Sequence, residues 1–200
     1  MKSHPLESLT AEEINKAVDL YRSHDKSDEN TLFINITLVE LSKEIVRSYK
    51  EGEEFDRSVK IVGVDSKPDG GFVASIDLNK EEVTFIERLP NEAQAAYSFA
   101  EVGLATVLTK QNKEYQDALK KRDVTNLDLV QIDPWPAGGV VHESIKPGHR
   151  AMRTISFLKE NETDNAYAKP IQGVISHVDL TLKEVTCVED FGVVPVPKAH

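Results

Sequence analysis

"GFVASIDLNKEEVTFIE" (residues 71–87) and "GVISHVDLTLKEVTCVE" (residues 173–189) align without a gap. Gly71/Gly173, Asp77/Asp179, Leu78/Leu180, Glu82/Glu184, Val83/Val185, Thr84/Thr186 and Glu87/Glu189 are identical. Val73/Ile175, Ile76/Val178 and Ile86/Val188 keep their β-branched, apolar character. Each stretch alternates in the period of two expected of a half-buried strand, breaks at a polar turn and alternates again, which is the pattern of an antiparallel hairpin. Phe72, Ala74, Ile76 and Leu78 share one face, matched by Val174, Ser176, Val178 and Leu180. A sentence written twice in one chain reads as a duplicated domain, since a solenoid needs three or more repeats.

Working outward, each hairpin closes a longer unit. In "LTAEEINKAVDLYRS" Thr10 and Glu13 form a capping box with Leu9 and Ile14 at the staple positions. Ile14, Ala17, Val18 and Tyr21 then mark one helical face. "TLFINITL" and "RSVKIVGVD" read as strands, "ELSKEIVRSYKEG" as a helical turn closed by Gly52, and "SKPDGG" as a turn before the first hairpin. Pro90 ends this unit. The order restarts with a helix predicted from Asn91 and Gln94 through "EAQAAYSFAEVGLATVLTK", a second helical piece "NKEYQDALKKR", the strands "NLDLVQID" and "HRAMRTISFL", and the second hairpin. The loop "PWPAGGVVHESIKPG" and the arm "KENETDNAYAKP" are insertions. The expected fold class is α+β, with two tandem domains, 1–89 and 90–200, each a helix packed on a roughly four-stranded antiparallel sheet.

The formal charge is −10 and the sequence pI about 5.1, which argues against a nucleic-acid groove because such a groove needs a basic face. One cysteine, Cys187, excludes an internal disulfide framework. It aligns with Phe85, so it is expected to be a small buried hydrophobe rather than a nucleophile. No segment approaches the roughly 20 apolar residues of a membrane span, and the opening residues carry no apolar leader. A soluble, cytoplasmic chain with no nucleic-acid or membrane partner is expected.

Catalytic, cofactor-binding and metal-ligating residues are each expected to be absent. Asp77 and Asp179 sit at strand ends and read as turn residues on the face opposite the apolar one. The histidines (His4, His24, His142, His149, His177 and His200) show no H-x-H or H-x-x-x-H spacing. His142, Glu143 and His149 share one loop and could meet in space. Trp135, between Pro134 and Pro136, is the residue that suits a contact surface: prolines stiffen the chain while a large amphipathic ring projects. The alternative is a ring folded back onto its own domain.

"HPLESLTAEEINKAVDL", "LDLVQIDPWPAG", "DNAYAKPIQGVISHVDL" and "EVTCVEDFGVVPVP", in this order and over almost all of the chain, resemble the N-terminal, non-catalytic region of copper- and topaquinone-dependent primary amine oxidases of the tyramine oxidase type. The resemblance implies two small cystatin-like domains. It also implies a parent enzyme that uses copper and topaquinone to convert primary amines to aldehyde, ammonia and hydrogen peroxide. The partners implied are the C-terminal catalytic domain, the amine substrate and a second subunit of a homodimer. The family's N-Y-[DE] cofactor tyrosine and H-x-H copper grip have no match here, since none of Tyr21, Tyr49, Tyr97, Tyr115 and Tyr167 follows an asparagine. By the same resemblance the second small domain borders the amine access channel, and the loop holding Trp135 is expected to help shape its mouth. A free-standing cystatin-like binding or inhibitor module is the alternative, with "QGVIS" (172–176) approaching the inhibitor pattern Q-x-V-x-G without its last glycine. A small acid–base enzyme, requiring a cleft with converging Asp and His, is a third reading.

Overall fold

The computed structural model describes residues 4–25, 27, 29–65, 70–90 and 93–196. The chain divides into two compact units, Met1–Ala96 and Tyr97–His200. The first holds α1 (Ala11–Arg22), β1 (Leu32–Val39), the short α2 (Lys43–Ser48), β2 (Ser58–Val64), β3 (Gly71–Asp77) and β4 (Glu82–Arg88). The second holds α3 (Phe99–Gln111), α4 (Lys113–Lys120), β5 (Val130–Pro136), β6 (Ala151–Leu158), β7 (Pro170–Asp179) and β8 (Glu184–Asp190). Each sheet is antiparallel and four-stranded, in the sequential orders β1-β2-β3-β4 and β5-β6-β7-β8. This is the α+β arrangement expected from the repeat.

The register repeats with an offset of 102 residues. Asp77 pairs with Glu82, Ile76 with Val83, Ser75 with Phe85 and Ala74 with Ile86; Asp179 pairs with Glu184, Val178 with Val185, His177 with Cys187 and Ser176 with Val188. In both hairpins a bulge falls at the threonine, and Thr84 and Thr186 donate to the carbonyls of Ser75 and His177 at 3.2 and 3.3 Å. Both turns place a non-glycine residue in the left-handed region, Glu81 at φ 59° and Lys183 at φ 58°. The eight residues assigned to the apolar faces are all buried, Ser176 included.

The bulge corrects the reading of Cys187. A strict period of two from Val185 puts residue 187 inward, but an extra residue on one strand reverses the phase beyond it. Val83 and Ile86 therefore reach the core, while Phe85 is 48% exposed and Cys187 lies half-buried on the outer face.

In the first unit Ala17 and Tyr21 of α1 press onto Val59, Ile61, Phe72 and Ile76, with the Tyr21 and Phe72 rings stacked at 4.5 Å. In the second, α3 supplies Ala105 against Met152, Val178 and Leu180, and α4 supplies Tyr115 and Leu119 against Val130, Ile132, Ile171 and Val174. The Thr10–Glu13 capping box is formed, as read from the sequence. The second unit's main helix starts later than expected. Asn91 lies outside the described residues, residues 93–98 are not helical, and α3 begins after Ser98, which forms its own capping box with Glu101.

Both units then add an arginine from the residue that precedes their second strand. Arg57 donates to Glu13 at 3.0 Å and to the carbonyls of Pro5, Glu7 and Ser8. Arg150 grips Glu101 with Nε at 2.5 Å and Nη2 at 3.0 Å, and lies 4.2 Å over the Tyr97 ring. The backbone carbonyls of Arg57 and Arg150 accept from Leu78 and Leu180, each at 2.9 Å. An arginine thus locks each helix start to the turn of its repeated hairpin. The "SKPDGG" turn falls mainly on residues 66–69, outside the described residues.

Candidate functional site

Directly opposed residues of neighbouring strands point to the same side of a sheet. In the second unit the register therefore aligns Trp135, Arg153, His177 and Cys187 in one row across β5, β6, β7 and β8. The row lies on the face away from α3 and α4. Trp135 is 55% exposed. It stands on the edge strand β5 and not in a loop, which corrects its expected setting: an edge strand tolerates Pro134 and Pro136 because an N–H facing outward is not needed.

The histidine loop is arranged differently from the sequence expectation. His149 turns to Asp179, with Nδ1 2.6 Å from the carboxylate, and Asp179 is buried beneath it. Asp179 also accepts from the Leu182 backbone N–H, so it keeps its turn role while being covered. Asp77 holds the matching turn in the first unit, accepting from Asn79 and Lys80; these bonds hold its carboxyl below the usual range, against a smaller opposing effect of burial.

His142 goes instead to His177, their ring centroids 4.4 Å apart and tilted by 31°. His177 Nε2 lies 2.7 Å from Glu189 Oε2. The ligating atoms of His142, His177 and Glu189 all lie within 4.8 Å of one another. Reading the sequence missed this group because its members come from a loop and two strands. Half of it was legible: in the hairpin His177 opposes Cys187, and Glu189, two residues on, is its diagonal neighbour on the same face.

Cys187 is not an activated nucleophile. Its thiol is pushed up by burial and then by the nearby carboxylates of Glu189, Glu114 and Glu143, which disfavours the thiolate. "QGVIS" lies within β7, where Val174 and Ile175 pair with β8 and Ser176 pairs with both Thr154 and Val188, so it is strand and not a free inhibitory loop. An open cleft of about 600 Å³ in the first unit is lined by Glu13, Lys16, Phe55, Arg57 and Asn79 among others. Among the described residues its lining, which also includes Glu53 and Glu54, has neither histidine nor aspartate, so it does not bring together the Asp and His that the acid–base reading requires, and Glu13 is held by Arg57 and Lys16 by Glu81.

Comparison with known proteins gives these units their place. Residues 4–84 match the family model of the copper amine oxidase N2 domain, and residues 100–200 match that of the N3 domain. The chain belongs to the copper amine oxidase family. It is 32% identical over 198 residues to a primary amine oxidase of Arthrobacter sp. (strain P1), covering 99% of this chain and 30% of that one. A primary amine oxidase of Klebsiella aerogenes is 26% identical over 98% of this chain and 26% of its own length. The crystal structure of a copper-containing benzylamine oxidase from Hansenula polymorpha shares the fold with a TM-score of 0.75 at 15% identity, over 94% of this chain and 30% of that one. The chain thus spans about 30% of the length of the amine oxidases it matches. It corresponds to their N-terminal, non-catalytic domains. Among its described residues no helix is long and apolar enough to cross a membrane.

Proposed function

We propose that this chain serves as the N-terminal domain pair of a primary amine oxidase and that Trp135 borders the path by which amines reach the catalytic domain. The parent reaction would take a primary amine R-CH2-NH2, O2 and water to the aldehyde, ammonia and hydrogen peroxide. The copper and topaquinone of a parent catalytic domain would supply the redox chemistry, and the amine, that domain and a second subunit of a homodimer would be its partners.

The described residues of this chain do not fit that cofactor pair. Tyr21 and Tyr115 are buried in the two cores, and the Tyr97 hydroxyl donates to the Ala151 carbonyl. Tyr49 packs edge-on against Phe55, and Tyr167 against Phe157. The assembled His142, His177 and Glu189 group differs from a three-imidazole copper set.

The observation that carries the channel role is the exposed Trp135 ring on a proline-stiffened edge strand. An aromatic face attracts an ammonium group by about 0.5–2 kcal/mol. Arg153, next in the row, opposes a second cation, so the lower half of that range applies. Trp135→Ala should therefore lower kcat/KM by about 2–8-fold in the parent enzyme, unevenly across amines of different size, with unchanged quinone content. In the 200-residue chain the same change should leave Tm nearly unmoved. A loss of about 3–5 kcal/mol of stability, as for a core aromatic, with unaltered amine selectivity would overturn the reading.

A further inference from the structure

The outer face of the second unit carries a cluster that the amine-access reading does not use. Two imidazoles and a carboxylate converge there with their ligating atoms within 4.8 Å. We propose that His142, His177 and Glu189 form a surface site for one divalent transition-metal ion of the zinc class. Nitrogen and carboxylate ligands sit about 2.0–2.2 Å from zinc, so tetrahedral ligand atoms lie roughly 3.4 Å apart. Small rotations of these half-buried side chains would bring the three from their present spacing to that geometry. Three protein ligands leave the fourth position to water.

The surroundings supply the outer support that ligating imidazoles use. Ser144 holds His142 at Nδ1 from two sides, its backbone N–H donating there at 3.1 Å and its Oγ lying 2.8 Å away; binding an ion through Nε2 would move the ring proton to Nδ1, where the hydroxyl can accept it. Ser144 Oγ in turn lies 2.8 Å from Thr186 Oγ1, which donates to the carbonyl of His177. The bulge threonine thus ties the loop bearing one imidazole to the strand bearing the other.

The first unit is a built-in comparison. It keeps Glu87 at the place of Glu189, but Ser75 stands where His177 does. The sheet and hairpin form equally well in both, so the packing of the repeat does not call for the histidine.

The test titrates the metal-stripped 200-residue chain with Zn2+ and with Co2+. One ion should bind per chain, Co2+ should develop ligand-field absorption, and the imidazole NMR signals of His142 and His177 should respond while those of His24 and His149 stay in place. His177→Ala and Glu189→Gln should weaken binding beyond the roughly 10–100-fold that loss of an outer partner causes, Ser144→Ala should fall within that range, and His24→Ala should have no effect. Tm of each variant without metal checks folding, and the NMR response of the unaltered chain decides the matter should a variant fail to fold. Absence of a one-to-one ion, an NMR response at other histidines, or undiminished binding by folded His177→Ala and Glu189→Gln would overturn the site.

Discussion

Replacing Arg150 by methionine tests whether the arginine lock organises the second unit. Arg150 and Glu101 are each about nine-tenths buried as side chains, at 11% and 10% exposure. Removing the guanidinium leaves the Glu101 carboxylate with the Ser98 N–H and hydroxyl as its partners. Breaking one side of a buried pair costs about 3–5 kcal/mol, and the surviving capping bonds point to the lower end, about 3 kcal/mol. With a urea m-value of about 1–3 kcal/mol/M, the midpoint should fall by about 1–3 M. Trp135, the single tryptophan, lies in this unit, so its fluorescence follows the relevant transition. The pH dependence gives a second check. Burial raises the Glu101 pKa, but the bonds from Arg150 and Ser98 outweigh it and the net shift is downward from 4.5. A carboxyl lowered in the folded state contributes stability above its unfolded value and loses it as pH falls through the folded one. The gap between parent and variant should therefore narrow below about pH 4.5. A double-mutant cycle with Glu101→Gln isolates the pair. A cost under about 1 kcal/mol with no pH trend would show an ordinary surface bridge and refute the argument.

Gly173→Ala should destabilise by at least about 1–2 kcal/mol in the same assay, because the residue sits at φ 76° and an added Cβ would lie 2.6 Å from the Gly192 carbonyl oxygen; an unchanged midpoint would refute this. Tyr115, buried and bonded to Ser156 at 2.6 Å, has its pKa raised to about 12, chiefly by burial and despite that bond. Its folded value lies above its unfolded one, so its contribution is complete below about pH 10 and lost as pH rises toward 12. Tyr115→Phe should flatten alkaline unfolding between those limits, and an equal slope in both proteins would sink the assignment.

The frame was legible because it rests on local rules. Thr10 and Glu13 announce a helix start by type and spacing, and the aligned hairpins announce their pairing by alternation and a shared turn. Ser98 and Glu101 obey the same capping rule, yet the stronger-looking start at Asn91 drew the helix too far forward. Cys187 went astray for a single physical reason, the one-residue bulge at Thr186, which alternation cannot reveal. Trp135 stands out by type, but two prolines argue against a strand unless it is an edge, and edges are known only from topology. The His142 contact was out of reach, because a loop of glycines and prolines between β5 and β6 has no period to follow.

The duplication itself separates what the fold needs from what it does not. The inner faces of the two hairpins stay apolar or small throughout: Phe72, Ala74, Ile76 and Leu78 against Val174, Ser176, Val178 and Leu180. The corresponding outer rows are Thr37, Lys60, Ser75 and Phe85 in the first unit, and Trp135, Arg153, His177 and Cys187 in the second. A serine and a threonine in the first row show that the sheet closes without an imidazole or an indole at those positions. Each row faces away from the helices that cover its sheet, so the ring types of the second row are not explained by the core. They are surface chemistry placed on a frame whose twin does without it. For that reason the outer face of the second unit, and not the cleft of the first, is where binding to this chain should be sought.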